Sequence, residues 1–172
     1  MLVRPATIAD LPGILEIYNE VVATSTAIYA LHASILDERR AWMDERADLG
    51  YPVLVAAHKK KILGYSSFTD WRSAWGGYRF TIEHSVHVHV DARGRGIGTK
   101  LVKALFPFAL HLGKHVMIGA IDAANAGSIR FHERLGFTRV AEFHEVGHKF
   151  GRWLDLAFMQ RLLDEPGAPR KN

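Results

Sequence analysis

Apolar residues recur along this chain with two periods. From Leu11 to Val22 they fall every three or four positions, the spacing that places side chains on one face of a helix. Elsewhere, β-branched and aromatic residues form short or alternating runs that are typical of strands. Helices are predicted over residues 11–22, 36–49, 97–112 and 128–135. Strands are predicted over residues 2–4, 52–58, 62–69, 78–90, 115–121, 137–144 and 153–162.

Residues at the ends of these segments support the boundaries. Thr7 and Asp10 have the spacing of a capping box before the first helix, and Ser34 is a candidate N-cap for the second. Gly50 follows that second helix and is expected to end it. Pro107 lies inside the third predicted helix, where its ring and missing N–H predict a kink or a late break.

The composition fits one folded domain. The chain has 172 residues, of which 48% are hydrophobic and 23% are charged, and this is enough to form a core. We therefore expect a single α/β domain with a mixed sheet over residues 1–163. A flexible tail is expected over residues 164–172, where prolines and a glycine follow the last predicted strand.

Charge and cysteine content exclude several function classes. The net charge is +4, but the basic residues do not gather on one segment with interleaved aromatics, so no nucleic-acid partner is expected. No apolar run approaches the roughly 20 residues of a membrane span, and we expect a cytoplasmic protein without a membrane partner. The absence of cysteine excludes a thiolate nucleophile and cysteine-type zinc sites.

One glycine-rich turn carries the first chemical signal. The predicted strand ending at Val90 leads into Arg93-Gly94-Arg95-Gly96-Ile97-Gly98, and a helix follows. Such a turn has little side-chain bulk, so its backbone N–H groups can surround an anion at the positive end of the helix dipole. Together with the basic side chains, this predicts a site for the phosphates of a cofactor.

A second motif decides which cofactor is expected. A dinucleotide-binding turn would follow the first strand and precede an acidic residue on the next one, whereas this turn lies in mid-chain. Behind the strand that follows it comes Asn125-x-x-Ser128-x-x-x-His132-x-x-x-Gly136-Phe137. The two motifs together resemble the GNAT superfamily of N-acetyltransferases over nearly the whole chain. The resemblance implies a mixed, mostly antiparallel central sheet of six to seven strands with about four helices.

A narrower resemblance rests on further segments. Residues 49–52, 70–72, 82–86 and 147–155, with Met159-Gln160, are similar to the phosphinothricin and methionine sulfoximine acetyltransferases. This implies a detoxifying enzyme, usually a homodimer, that moves the acetyl group of acetyl-CoA to the α-amino group of a small amino acid analogue. The acceptors implied are methionine sulfoximine, methionine sulfone and phosphinothricin.

The resemblance also implies site residues. Those expected to bind acetyl-CoA are Val86, His87, Val88, Arg93, Gly94, Arg95, Gly96, Ile97, Gly98, Thr99, Asn125 and Ser128. Those expected to bind the amino acid are Arg72, Ser73, Ala74, Glu83, His84 and Ser85. No metal is expected, although His87 and His89 have a spacing that can bind one.

Two residues are candidates for proton transfer. Glu83, on the predicted long strand, is the candidate base that removes a proton from the amine, unless it is an exposed glutamate or pairs with Arg72 or Arg79. His132 occupies the place where many members of the superfamily have a tyrosine that protonates the departing thiolate. Its alternative role is packing beside the cofactor.

Other roles also keep an alternative. Arg72 is expected to bind the α-carboxylate of the acceptor, or to be a solvated loop arginine. Asn125 is expected to bind the pantetheine amide, to cap the helix that follows, or both. Backbone N–H groups near a strand bulge at residues 86–88 are expected to stabilise the oxyanion.

The reaction is expected to be direct transfer, because neither a cysteine nor a recognisable serine nucleophile is present. Two other functions remain open. The acceptor could be another small amine, such as a polyamine or an aminoglycoside. Alternatively, the chain could be a regulatory module that binds acyl-CoA without catalysis.

Overall fold

The computed structural model describes residues 1–164. Its helices are α1 (Leu11–Thr24), α2 (Leu36–Asp48), α3 (Ile97–His111) and α4 (Ala126–Arg134). Its strands are β1 (Leu2–Pro5), β2 (Val53–His58), β3 (Lys61–Asp70), β4 (Thr81–Val88), β5 (Val116–Asp122), β6 (Thr138–Lys149) and β7 (Arg152–Leu162). The strands form one sheet in the order β1-β2-β3-β4-β5-β7-β6. Strand β4 pairs with β5 in parallel, whereas the pairs β1–β2, β2–β3, β5–β7 and β6–β7 are antiparallel, and the predicted fold class is confirmed.

The first compact unit contains residues 1–68 and 85–105. Its core packs Ile14 and Ile17 of α1 against Val55 of β2 and Tyr65 of β3, all of them buried. Trp42 of α2 meets the edge of the Tyr65 ring, with 6.0 Å between the ring centroids. Helical and strand periods thus bury the same face that the sequence pattern predicts.

The second compact unit contains residues 69–84 and those from Phe106 onward. Within it, β5 pairs with β4 on one side and with β7 on the other. Met117 and Met159 are completely buried. Within residues 1–164, no helix has the length and apolar character needed to cross a bilayer.

Two predicted strands have different bounds in the structure. The long strand predicted over 78–90 is wrong at both ends, because Gly76–Tyr78 and Val90–Ala92 form single 3-10 turns around β4. Strand β6 continues well past the predicted end at residue 144. A bulge between Phe143 and Gly147 interrupts the alternation there, and Glu145 adopts a left-handed φ of 53°, so the apolar pattern loses its period.

Helix ends also differ from the predictions. Ile35, not Ser34, is the N-cap of α2, and the Ser34 hydroxyl donates instead to a Glu38 carboxylate oxygen at 2.7 Å. Helix α3 does not break at Pro107 but continues to His111. Thr7 precedes a short 3-10 helix, Ile8–Asp10, that leads into α1.

The end of the described chain is held by β5. Asp164 contacts the His115 ring nitrogen, and the Leu163 N–H donates to the His115 carbonyl at 2.9 Å. The predicted flexible tail therefore does not begin at Asp164. The rest of that prediction, residues 165–172, lies outside the described residues.

Candidate active site

The glycine-rich turn has the backbone shape that its sequence predicts. Gly94 and Gly96 have φ values of 77° and 73°, a conformation that costs residues with a side chain about 1–2 kcal/mol. No atom lies within 4 Å of a Cβ built at either glycine, so the turn is open on its outer side. It leads directly into the first turn of α3, where Ile97 is buried and Gly98 and Thr99 are half-buried.

Basic side chains flank this turn in two different ways. The Arg93 guanidinium donates to the Val88 carbonyl at 3.1 Å and to a Glu20 carboxylate oxygen at 2.7 Å, so it holds the turn to β4 and α1. Arg95 and Lys100 are exposed. Exposed cations, two left-handed glycines and the start of a 15-residue helix form a surface that fits a diphosphate.

The end of β4 lies very close to β3. A Cβ on Gly64 would lie 2.8 Å from the His87 carbonyl oxygen, so only glycine allows this approach. The His87 ring packs against Tyr65, with 5.3 Å between the centroids. Burial, and secondarily the charge of Arg93, lowers the pKa of His87 to about 4. His87 is therefore neutral at pH 7.

His89 is engaged by acidic neighbours rather than by His87. Its ring nitrogens lie 3.5 Å from a Glu16 carboxylate oxygen and 3.7 Å from an Asp91 carboxylate oxygen. Its Nδ1 also accepts the Asp91 N–H at 3.2 Å. The two histidines that have metal-binding spacing in the sequence thus make separate contacts.

Glu83 lies on β4 opposite Ile118 of the parallel strand β5. It is half-buried, and burial raises the pKa of its carboxyl group above the ordinary value. A raised pKa makes the carboxylate a stronger base while leaving it ionised near neutral pH. This is the property expected of a general base.

The loop before β4 carries Arg72 in an uncommon conformation. Its φ is 50°, which is rare for a residue with a side chain. The guanidinium lies 5.1 Å from the centroid of Trp75 and 5.4 Å from that of Tyr78, and the three residues line one small pocket with Gly77. The neighbouring Ser73 and Ala74 are exposed.

Lys114 holds this loop at both ends, and the sequence analysis did not identify it. Its ammonium group donates to Asp70 at 2.7 Å and to the Arg79 carbonyl at 2.8 Å, although the residue is buried. Asp70 precedes the loop and Arg79 follows it. The available signal was an isolated lysine between Gly113 and an apolar strand, a place where a solvated lysine is not expected.

Asn125 caps α4, as one of its predicted roles requires. Its side-chain oxygen accepts the Ser128 N–H at 3.0 Å. The Ser128 carbonyl in turn accepts a hydrogen bond from Nδ1 of His132 at 2.8 Å. The motif that follows β5 is thus one connected structure that fixes the direction of His132.

His132 meets His84, a contact that the sequence analysis did not predict. The two Nε2 atoms are 3.2 Å apart, and both residues are buried, at 4% and 6% exposure. Burial lowers the pKa of His132, and its bond to the Ser128 carbonyl offsets this only in part. His132 is therefore neutral at pH 7.

Each compact unit contains its own part of the predicted site. In the first unit lie Ser85 to Val88 and the turn with the start of α3, over residues 93–99. In the second unit, the structure brings together His84, Ser128 and His132, and separately Arg72 with its aromatic neighbours. The assigned functions of these residues stay predictions.

One group in the described part of the chain has the donor atoms of a metal site. Glu142, His144 and Asp155 place their ligand atoms within 4.8 Å of one another. Two of the carboxylates have other partners, because Glu142 contacts Arg139 and Asp155 accepts the Glu145 N–H at 2.8 Å. The group forms part of the β6 bulge and contains none of the predicted site residues.

Known proteins resemble this chain over almost its full length. Residues 14–137 match the acetyltransferase (GNAT) family. The L-methionine sulfoximine/L-methionine sulfone acetyltransferase of Salmonella typhimurium is 50% identical over 169 residues, which cover 98% of each chain.

Solved structures agree with this likeness. An acetyltransferase of Salmonella typhimurium with its cofactor acetyl-CoA has a TM-score of 0.93 at 50% identity, covering 98% of this chain and 97% of that one. A phosphinothricin acetyltransferase of Sinorhizobium meliloti in complex with acetyl-CoA has a TM-score of 0.94 at 36% identity, covering 99% and 92%. The resemblance derived from the two sequence motifs is confirmed.

Proposed function

Because this chain belongs to the acetyltransferase (GNAT) family, we propose that it transfers the acetyl group of acetyl-CoA to the α-amino group of a small amino acid analogue. The chain is an N-acetyltransferase that uses acetyl-CoA. The acceptors proposed are methionine sulfoximine and methionine sulfone, with phosphinothricin as a further one. The observation that carries this choice is the 50% identity, over 98% of both chains, to an acetyltransferase named for the first two.

The turn at residues 93–98 is proposed to bind the diphosphate of acetyl-CoA. Left-handed Gly94 and Gly96 and the exposed side chain of Arg95 support this role, because backbone N–H groups and a cation together favour an anion. Asn125 is proposed to reach the pantetheine amide with its side-chain N–H₂, since its oxygen already accepts the Ser128 N–H. Acetyl-CoA supplies the acetyl group as an activated thioester.

Glu83 is proposed to remove the proton that the α-ammonium group must lose before it attacks. The raised pKa of its carboxyl group supports this, because a base with a higher pKa accepts a proton more readily. The amine then attacks the acetyl group directly, since the sequence contains no cysteine that could carry it. Backbone N–H groups of residues 86–88 are proposed to stabilise the negative charge on the carbonyl oxygen.

Arg72 is proposed to select amino acids over simple amines. A guanidinium binds a carboxylate with two parallel hydrogen bonds, and the aromatic rings of Trp75 and Tyr78 hold this one in place. A polyamine or an aminoglycoside carries several positive charges and no carboxylate, so it would be repelled by this arginine. The small-amine alternative is therefore disfavoured.

A thiol-release assay with a panel of acceptors tests the proposal. We expect release of CoA with methionine sulfoximine, methionine sulfone and phosphinothricin, and none with spermidine or kanamycin. Activity on spermidine without activity on methionine sulfoximine would reject the proposed acceptor. Tight binding of acetyl-CoA in calorimetry without turnover on any amine would instead establish the non-catalytic module.

A homodimer is also proposed, from an apolar surface on the β6–β7 hairpin. Five large apolar side chains of this hairpin are each more than half exposed, and such a patch is uncommon on a monomer. They are Val140, Phe143, Val146, Phe150 and Trp153. Light scattering should give twice the chain mass of 19.3 kDa, and Trp153→Glu should shift it towards the monomer. Leu31→Glu, at an exposed leucine elsewhere, is the control; a wild-type mass of one chain would reject the dimer.

The proposed setting is the cytoplasm and the proposed role is detoxification, because acetyl-CoA is an intracellular metabolite and the proposed acceptors are inhibitors of amino acid enzymes. Expression in a sensitive bacterium should permit growth in methionine sulfoximine. The Glu83→Gln variant should not permit it at equal expression. Equal growth of the two strains would contradict the role.

A further inference from the structure

The buried histidine pair, His84 and His132, has a hydrogen-bond pattern that only one arrangement of protons satisfies. Nδ1 of His132 lies 2.8 Å from the Ser128 carbonyl oxygen. A carbonyl only accepts hydrogen bonds, so this ring nitrogen carries the proton. In a neutral imidazole the other nitrogen is then an acceptor, and Nε2 of His132 has a lone pair.

The partner of that lone pair is His84. Its Nε2 lies 3.2 Å from Nε2 of His132, and a hydrogen bond between two nitrogens needs one donor. Because His132 has no proton there, Nε2 of His84 must be the donor. The two rings thus form a directed chain from His84 through His132 to the Ser128 carbonyl.

Gly119 makes room for this bond. It lies on β5 beneath the pair, and a Cβ built on it would lie 3.1 Å from Nε2 of His84 and 3.2 Å from Nε2 of His132. Phe137 supports both rings, with 5.3 Å between its centroid and each of theirs. An alanine at position 119 would therefore push against the two bonded atoms without removing either imidazole.

We propose that His84 is a positioning residue for His132: its Nε2–H donates to Nε2 of His132 and holds that ring in the Nδ1–H form, in a space that Gly119 keeps open. The part about catalysis rests on the proposed function. In the resting pair, His132 has no proton on Nε2 to donate. An acid role for His132 therefore requires a further proton to enter the pair.

Ring-nitrogen NMR of the full-length protein tests the proton arrangement without any need for activity. Long-range ¹H–¹⁵N spectra at pH 7 should show His132 protonated at Nδ1 only and His84 protonated at Nε2. His132 protonated at Nε2 with a bare Nδ1 would overturn the inference. Exposed His148 provides an internal reference for a solvated ring.

Kinetics of three variants test the positioning role. In His84→Gln the side-chain amide N–H can replace the donor, whereas His84→Leu removes it and Gly119→Ala keeps both imidazoles but separates them. We expect kcat to fall about 10- to 100-fold in the leucine and alanine variants, the size typical of a misplaced catalytic group. The KM for acetyl-CoA should change less than about twofold, and the glutamine variant should retain most of the activity.

The two outcomes separate this inference from the proposed function. Equal kcat values for His84→Gln and His84→Leu, in variants with wild-type circular dichroism, would overturn the positioning role. If the wild type has no activity on any acceptor but shows the expected ring protonation, the proposed function fails and the tautomer assignment stands. If Gly119→Ala fails to fold, the Gln–Leu comparison and the wild-type spectrum still decide the inference.

Discussion

Glu83 is half-buried on β4, and its raised pKa predicts how the enzyme depends on pH. With the carboxylate present, turnover should stay level until the pH falls to the Glu83 pKa. In Glu83→Gln only acceptor molecules that are already deprotonated can react. Their fraction falls about tenfold for each pH unit below the α-amino pKa of about 8.

The activity ratio of wild type to Glu83→Gln is therefore expected to increase about tenfold per pH unit as the pH falls, reaching at least about 10²-fold before it levels off at the Glu83 pKa. Initial rates at saturating acetyl-CoA between pH 5 and pH 9 measure it. A ratio that does not change with pH would contradict the base role. Weaker acetyl-CoA binding with unchanged turnover would assign Glu83 to cofactor binding instead.

Arg72 predicts selectivity for a carboxylate. Arg72→Ala should lower kcat/KM for methionine sulfoximine about 10- to 100-fold, the worth of a charged hydrogen bond. It should leave unchanged the weak activity on the same compound without its carboxylate, because that acceptor has nothing for the guanidinium to bind. Arg79→Ala is the matched control, since that guanidinium donates to the Gly76 carbonyl at 3.2 Å and lies over Phe80. Equal losses on both acceptors would reject the selectivity role.

At the scale of single residues, the sequence identifies chemistry better than it identifies partners. Glu83 and Arg72 were selected by residue type and by family resemblance, and both have the burial or backbone conformation that suits the proposed roles. The contact between His84 and His132 was not predicted, because the two residues are 48 positions apart and belong to different motifs. Its one local sign was Gly119, a glycine inside an apolar strand, where a close approach is common.

At the scale of elements, the turn before α3 makes the sharpest prediction. Gly96→Ala puts a Cβ on a backbone with φ of 73°, in open space. The variant should raise the KM for acetyl-CoA about 5- to 30-fold, equivalent to 1–2 kcal/mol of strain or displacement. The kcat at saturation should change little, because the reacting groups are not altered.

Gly113→Ala is the control for that experiment. Gly113 follows α3, has a φ of 69° and also has no atom within 4 Å of a built Cβ. It should lower the thermal stability by a similar amount without changing the KM for acetyl-CoA. Equal effects of the two variants on the KM would show that strain alone, and not the turn, is responsible.

Element boundaries were predictable where glycine marks them and less so elsewhere. The turn at residues 93–98 was predicted because two glycines are required by its backbone. The ends of β4 were not, since the 3-10 turns Gly76–Tyr78 and Val90–Ala92 contain residues that also suit strands. Strand β6 was predicted too short because the left-handed Glu145 interrupts the alternation without a glycine to indicate it.

At the scale of the whole molecule, two motifs were enough to predict the fold class, because each requires a strand, a turn and a helix in a fixed order. The strand order β1-β2-β3-β4-β5-β7-β6 was not predictable from periodicity, which fixes faces but not neighbours. A single domain over residues 1–163 stays a prediction. The β6–β7 hairpin and the Lys114 contacts depend on residues that are far apart in sequence, and neither was derived.

His87 predicts how the stability of the whole chain changes in acid. Its folded pKa of about 4 lies below the value of about 6.5 expected in the unfolded chain. As the pH falls, the unfolded chain binds the proton first, so the stabilisation is complete above pH 6.5 and is lost towards pH 4. The shift corresponds to at most about 3 kcal/mol of unfolding free energy.

Urea unfolding at a series of pH values between 4 and 7 measures this loss. In His87→Phe, the ring contact with Tyr65 remains but no proton can bind, so the unfolding free energy should depend less steeply on pH over this window. A residual slope of the same sign is expected, because burial also lowers the pKa of His132. His148→Gln, at an exposed histidine, should keep the full wild-type dependence. If the wild type and His87→Phe lose stability in parallel, His87 is not the group that binds the proton on unfolding.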